Sequence, residues 1–178
     1  MASSPGRVGS ATQVGERTLR VFGIDPGCTV TAFGVIDANR NRLTFVSADA
    51  LRTSPDTPMP TRLLAIHRFL GAAIAAHKPD SVAIEAIFRH KSSESALRLG
   101  QARGVALLAA AEAGHEVFEY NAQTVKKTAG GHGRADKEGV ARVVRMLLGE
   151  IPAGPLDMTD ALAIAITHAS HVPAGAWR

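Results

Sequence analysis

Apolar residues first become patterned in the segment Val21–Gly27 (VFGIDPG), a short hydrophobic run that ends on an aspartate and a Pro-Gly turn. A run of this length is typical of a buried strand, and the turn leaves Asp25 at the end of that strand. Asp, Pro and Gly are also ordinary turn formers. Taken alone, the segment therefore favours a plain turn over a functional carboxylate.

Four more apolar or alternating segments predict strands. The short connection at Asn39–Asn41 favours an antiparallel meander of the first three strands. A helix precedes the fourth strand, so the connection to that strand is a crossover and the fourth strand should run parallel to the first. The four further strands are predicted at Thr31–Asp37, Leu43–Ala50, Ser81–Glu85 and Glu116–Tyr120.

Helical spacing of apolar residues predicts five helices, with a loop at Ser54–Pro60 and another at Ala129–Asp136. The helices are predicted at Arg62–His77, Ser92–Ala113, Gln123–Thr128, Lys137–Leu148 and Asp157–His168. Gly114 should end the second helix, whose Ala-rich half is either deeply buried or covered by a partner subunit. These elements predict an α/β domain with a mixed five-stranded sheet flanked by helices, the order that a ribonuclease-H-like fold requires.

Composition places this fold in one domain. The chain has 178 residues, of which 46% are hydrophobic, and no apolar run approaches the roughly 20 residues that span a bilayer. Residues 1–19 are rich in Ser, Gly, Ala and Arg and are interpreted as a disordered arm, a cloning remnant or the product of an early start codon. The folded domain is predicted at 20–170, with an irregular tail at 171–178. The lone Cys28 agrees with a reducing compartment, so we expect a cytoplasmic protein.

Charge adds a possible partner. The net charge is +4 with a pI of about 9.7, which is compatible with nucleic acid. Aromatic residues are only 4% of the chain, too few for a platform that stacks several bases. If nucleic acid binds, phosphate contacts should dominate.

Four carboxylates stand out by position. Asp25 and Glu85 each end an apolar strand, and parallel neighbours would bring those ends together; Asp157 and Asp160 share a face of the last helix. An all-oxygen site suits Mg²⁺ or Mn²⁺, and two such ions support phosphoryl transfer. The alternative is that Asp157 is a helix N-cap with an acid three residues later, and that Glu85 is a solvated strand end.

Basic residues surround these acids in the sequence. After Glu85 come a ring and three basic or titratable side chains, which could contact DNA, although a core-capping Phe and a solvated surface are the plainer interpretation. A second cluster borders a Gly-rich loop whose backbone could approach phosphate closely. The candidate residues are Phe88, Arg89 and Lys91, then Lys126, Lys127, Arg134 and Lys137.

Five motifs in order resemble the RuvC family of Holliday-junction resolvases, from about Arg20 to His168. They are GIDPG at Gly23–Gly27, IE and a following Phe at Ile84–Phe88, SALRLGQARGVALLAAA at Ser95–Ala111, VFEYNAQTVKKT at Val117–Thr128 and DMTDALAIAITH at Asp157–His168. The two residues between the last acids are more often alanines in this family, and the N-terminal arm has no counterpart there.

The resemblance implies a homodimeric ribonuclease-H-like endonuclease that nicks two strands of like polarity at a four-way DNA junction. It implies Asp25, Glu85, Asp157 and Asp160 as ligands of two Mg²⁺ ions, with Mn²⁺ as a substitute. Phe88 falls on the family's junction-contacting aromatic, and Lys126 and Lys137 fall on its catalytic-site lysines. It also implies work with the RuvA–RuvB branch-migration complex.

Three other functions remain open on the residues. A YqgF-like nuclease that processes ribosomal RNA shares the fold, but the long second helix and the paired acids on the last helix favour the resolvase. An actin-like or sugar-kinase-like ATPase has a similar first loop, but needs two lobes where this chain has room for one. A metal-free junction-binding module would use the acids only as caps.

Overall fold

The computed structural model describes residues 18–40, 42–86, 93–130 and 137–173. Within those ranges the chain forms five strands and five helices. In chain order they are β1 (Leu19–Asp25), β2 (Val30–Asn39), β3 (Arg42–Arg52), α1 (Met59–His77), β4 (Ser81–Ala86), α2 (Ser93–Glu112), β5 (Val117–Asn121), α3 (Ala122–Gly130), α4 (Lys137–Leu148) and α5 (Leu156–His171).

The strands form one mixed sheet in the order β3-β2-β1-β4-β5. β1 pairs antiparallel with β2, and β2 with β3, as expected for strands joined by short turns. β4 returns through α1 and pairs parallel with β1, and β5 pairs parallel with β4. The predicted sheet, a meander extended by parallel strands, is confirmed.

Several predicted boundaries were wrong by a few residues. Pro60 was assigned to a loop, but it lies in the first turn of α1, where the missing proline N–H costs no hydrogen bond. Ala129 was also assigned to a loop, yet it is buried at the end of α3. α5 continues through His171, so the irregular tail begins later than predicted. Of the predicted arm at 1–19, residues 1–17 lie outside the described ranges.

One face of the sheet packs against α1 and α2. Its core is built from large side chains, and the rings of Phe22 and Phe33 stack with their centroids 5.0 Å apart. One side of the Ala-rich half of α2 is buried against this face, through Ala106, Ala109 and Ala110, whereas Leu108 is 51% exposed. Deep burial was therefore predicted correctly for that side only.

The other face packs against α5, with α3 and α4 beside it. α5 lies so close to the sheet that a Cβ on Gly23 would come within 2.2 Å of the Ala161 carbonyl oxygen. At Gly34 a Cβ would come within 2.7 Å of the Leu162 backbone nitrogen. Only glycine fits at both positions, and this close approach fixes where the first turn of α5 lies over the sheet.

Candidate functional site

Asp25 and Glu85 lie side by side at the same end of the sheet. Ile24 and Ile84 are partners in the parallel pairing of β1 with β4, and each acid is the next residue in its strand. Both acids are partly buried. Since parallel strands end at the same edge, the prediction that these two strand ends meet is confirmed.

Both acids face α5. Side chains two residues apart in a strand point to the same face. Gly23 faces α5 directly, and Ala83 belongs to the core cluster that contains the buried residues of α5. Asp25 follows Gly23 by two positions, and Glu85 follows Ala83 by two. The two carboxylates therefore project from the sheet on the side that carries the last helix.

The first turn of α5 lies next to the end of β1. Met158 and Ala161 pack with Ala32, which is the direct partner of Asp25 in the pairing of β1 with β2. Asp157 and Asp160, both partly buried, are three residues apart in this turn. The fold thus brings the three acid-bearing elements to one end of one sheet face.

The capping interpretation of Asp157 is wrong. The N-cap residue of α5 is Pro155, no side chain caps the helix, and Asp157 is already its second helical residue. An acid in the first turn still interacts favourably with the helix dipole. No N-cap hydrogen bond, however, accounts for its presence here.

The donor chemistry at this end is that of oxygen ligands. Among residues 18–40, 42–86, 93–130 and 137–173, no three Asp, Glu, His or Cys side chains are grouped closely enough to hold a metal ion. Cys28, which follows the turn after Asp25, is buried, and its thiol donates a hydrogen bond to the Arg98 carbonyl at 2.8 Å. The thiol of the single cysteine in the sequence is therefore engaged elsewhere, and the carboxylate oxygens of the four acids are the ligand type that a hard cation prefers.

The turn that follows Asp25 is held by side chains that the sequence interpretation missed. The Thr31 hydroxyl accepts from the Gly27 N–H at 3.2 Å and donates to the Gly27 carbonyl at 2.6 Å. Arg62 is only 5% exposed and donates to the Cys28 carbonyl at 2.5 Å. The available signal in the sequence was that Arg62, a charged residue, lies next to the apolar stripe of the predicted helix.

A further missed residue, Arg103 of α2, contacts the end of β4. Its Nε donates to the Glu85 carbonyl over 3.4 Å, and its Nη2 lies 2.5 Å from the Glu119 carboxylate. The guanidinium ties α2 to the ends of two neighbouring strands and so helps to fix the backbone of Glu85. The available signal in the sequence was an arginine directly before the Ala-rich half of α2.

The structure describes only some of the basic residues that were predicted to contact DNA. Lys126 is partly buried and Lys127 exposed, both in α3, which follows β5. Lys137 is the first residue of α4, as predicted. The remaining predicted DNA-contacting residues lie outside the described residues: Phe88, Arg89, Lys91 and Arg134.

An aromatic group packs between α5 and the sheet, and its Tyr120 is the partner of Glu85 in the pairing of β4 with β5. The Tyr120 hydroxyl hydrogen-bonds His168 Nδ1 at 2.9 Å, and the Phe118 and His168 ring centroids are 4.5 Å apart. Burial, assisted by repulsion from His171, lowers the pKa of His168 to about 4. Burial also raises the pKa of the Tyr120 hydroxyl. His168 is therefore a neutral core residue at physiological pH.

No helix in the described part of the chain is long and apolar enough to cross a membrane. This agrees with a fold whose apolar residues are collected on the two faces of a single sheet.

Comparison with known proteins gives a consistent result. A family model described as crossover junction endodeoxyribonuclease RuvC matches residues 21–168. A curated protein of that name from Bradyrhizobium diazoefficiens is 46% identical over 90% of this chain and 91% of its own length. A solved structure of Thermus thermophilus RuvC in complex with a Holliday junction substrate superposes with a TM-score of 0.79 at 38% identity, covering 85% of this chain and 93% of that one.

A more distant match supports the fold alone. The yeast mitochondrial Holliday junction resolvase is 15% identical, with a TM-score of 0.61 over 86% of this chain and 79% of its own. The mixed sheet and its flanking helices, together with the match to RuvC, confirm the predicted ribonuclease-H-like fold.

Proposed function

The chain belongs to the RuvC family of crossover junction endodeoxyribonucleases, and from that premise we propose that it resolves Holliday junctions by paired, symmetric nicks in strands of like polarity. Each nick would leave a 5′-phosphate and a 3′-hydroxyl. The observation that supports this proposal best is the register of β1 and β4, which aligns Asp25 with Glu85 on the face covered by α5.

Members of this family are metal-dependent nucleases, and we infer that Asp25, Glu85, Asp157 and Asp160 hold the metal here. The donor set fits Mg²⁺, with Mn²⁺ as a substitute and two ions in each site. When bound, such ions stabilise the charge that develops on the attacked phosphate and on the leaving oxygen. The role of the chain itself is to hold four carboxylates on rigid elements at one end of the sheet.

Cationic side chains are assigned to the phosphate. Lys126 and Lys137 are proposed to contact the scissile phosphate, where a fixed positive charge stabilises the transition state. Lys127 contributes to binding of the flanking backbone. Phe88, Arg89, Lys91 and Arg134 complete the proposed DNA contacts, with Phe88 near the exchange point of the junction. Phosphate contacts predominate because the chain has few aromatic side chains.

We further propose that the protein acts as a homodimer, because paired nicks in two strands need two sites. Large apolar side chains on the outer surface of α1 and α2 support this: Leu97 is 65% exposed, Leu108 51% and Leu64 47%. One nuclease domain at 20–170, a cytoplasmic location and cooperation with the RuvA–RuvB branch-migration complex belong to the same proposal.

A synthetic four-way junction with labelled strands tests this function. With Mg²⁺ or Mn²⁺, the purified protein should place symmetric nicks near the centre, and the products should ligate directly. Cleavage of structured ribosomal RNA instead of junctions would favour a YqgF-like nuclease. Tight junction binding without cleavage under any divalent cation would favour a metal-free binding module. Either result would overturn the proposal.

A further inference from the structure

We propose that Arg142 and Arg145 hold the phosphate backbone of a junction arm beside the cleavage site. Both line a cavity of about 410 Å³, here called the α4 groove, and the inference rests on the proposed function. The lining residues of the α4 groove are Glu138, Ala141, Arg142, Arg145 and Leu156.

The α4 groove adjoins the proposed metal site. Leu156, which forms one wall, is the first residue of α5, and Asp157 is the next residue in the chain. A DNA strand bound at the carboxylates of that first turn can therefore also reach the groove. The side chains on the inner face of α4, Val140 and Val144, are buried in the core, so the arginines are carried on a firmly packed helix.

Both arginines are available for a ligand. Within the described residues, neither makes a hydrogen bond or an ion pair, although Glu138 lies one turn before Arg142. Their exposed guanidinium groups contrast with that of Arg103, which is engaged by Glu119. A guanidinium binds phosphate through two parallel hydrogen bonds, so two unengaged ones on one wall match an anionic backbone.

The spacing also fits a nucleic-acid strand. Arg142 and Arg145 are three residues apart, so they lie on the same side of α4 with an axial separation of about 4.5 Å. One DNA strand carries a phosphate about every 3.4 Å along the duplex axis. The pair can therefore engage one phosphate or two adjacent ones. An acidic peptide would use apolar anchors as well, and among the described lining residues Leu156 is the one large apolar side chain, 42% exposed.

The salt dependence of junction binding tests the inference. A fluorescent four-way junction is titrated with the full chain in EDTA, so that no cutting occurs, across a series of salt concentrations. If each arginine neutralises one phosphate, Arg142→Ala and Arg145→Ala should each lower the slope of log affinity against log salt by about 0.9. The lysine variants, which retain the charge, should retain most of the slope.

Arg42→Ala is the matched control. Arg42 is an exposed arginine that begins β3, at the end of the sheet opposite the acids, and makes no ion pair within the described residues. Its loss should leave the slope at the wild-type value. Thermal unfolding of every variant checks that α4 is intact, since loss of Arg145 also removes a favourable cation from the last helical turn.

The outcomes separate the two proposals. A wild-type protein that neither binds nor cuts junctions would contradict the proposed function. A wild-type protein that does both, with alanine variants that keep its salt slope, would contradict only the role of the α4 groove. Equal loss of slope in Arg42→Ala would also overturn it, because the effect would then reflect total charge.

Discussion

On one face of the sheet α1 and α2 pack against bulky side chains such as Phe22 and Phe33, whereas on the other α5 lies against the backbone at Gly23 and Gly34. On the first face the helices are held by packing of large apolar side chains, so small shifts of these helices can be absorbed when the side chains repack. The second is held by direct backbone contact, so α5 has little freedom to slide. The acid-bearing elements meet on the second face, where position is most tightly fixed.

The largest expected effect is on the rate of junction cleavage, with no effect on stability. Glu85→Gln removes a proposed metal ligand with little change in volume, so junction cleavage should fall by roughly 10³-fold, because bound metal supplies several kcal/mol to the transition state. Junction binding and the unfolding temperature should stay near wild type. Glu116→Gln, at an exposed acid before β5, is the control. Normal cutting by Glu85→Gln would remove this residue from the site.

On the opposite face, Phe22→Ala should lower the free energy of unfolding by about 3–5 kcal/mol, because it empties a fully buried ring position. Chemical denaturation measures this loss. At a temperature where the variant is folded, its cleavage rate should be close to wild type. A folded variant that no longer cuts would show that the two faces are coupled more strongly than their packing indicates.

Gly23→Ala tests the backbone contact. The added Cβ would collide with the Ala161 carbonyl, so we expect a loss of about 3 kcal/mol, at the upper end of the usual cost of overpacking. Because the collision displaces the helix that carries Asp157 and Asp160, cleavage by the folded fraction should also fall, which distinguishes this variant from Phe22→Ala.

Gly71→Ala is the matched control for that substitution. Gly71 lies within α1, and a Cβ there meets nothing within 4 Å. Alanine should therefore stabilise the protein by roughly 0.5–1 kcal/mol and leave cleavage unchanged. A destabilised Gly71→Ala variant would show that the glycine comparison does not isolate the contact with α5.

The effect that is smallest at neutral pH concerns His168. The pKa of His168 is about 4 in the folded protein, whereas a histidine in an unfolded chain titrates near its ordinary pKa of about 6.5. Between these values the unfolded state binds the proton that the folded state refuses, so stability is present above pH 6.5 and falls as the pH drops toward 4.

Thermal unfolding between pH 7 and pH 4.5 measures this dependence. His168→Gln should show a shallower decline than wild type, while His115→Gln, in the turn after α2, should follow the wild-type curve. Equal slopes in all three proteins would assign the acid sensitivity to other groups.

Much of the fold was predictable because local patterns of apolar and polar residues specify each helix and strand. Alternation in Leu43–Ala50 and helical spacing in Lys137–Leu148 identified elements close to their observed bounds. Errors were confined to ends such as Ala129, where burial against the core extends a helix beyond a sequence that reads as a loop. Arg62 and Arg103 were missed as supports of the site, because their partners are backbone carbonyls distant in sequence, which no local pattern reveals.

By itself, the sequence determined that Asp25 and Glu85 lie at or next to the ends of two strands, the order of helices and strands, and the family to which the motifs belong. Those properties depend on local periodicity, turn chemistry and motif spacing. Only the tertiary structure decided that Asp25 and Glu85 share one register and one face, and that Asp157 is not a helix cap. Register and face depend on contacts between segments far apart in the chain, above all the approach of α5 to Gly23, which a single sequence does not encode locally.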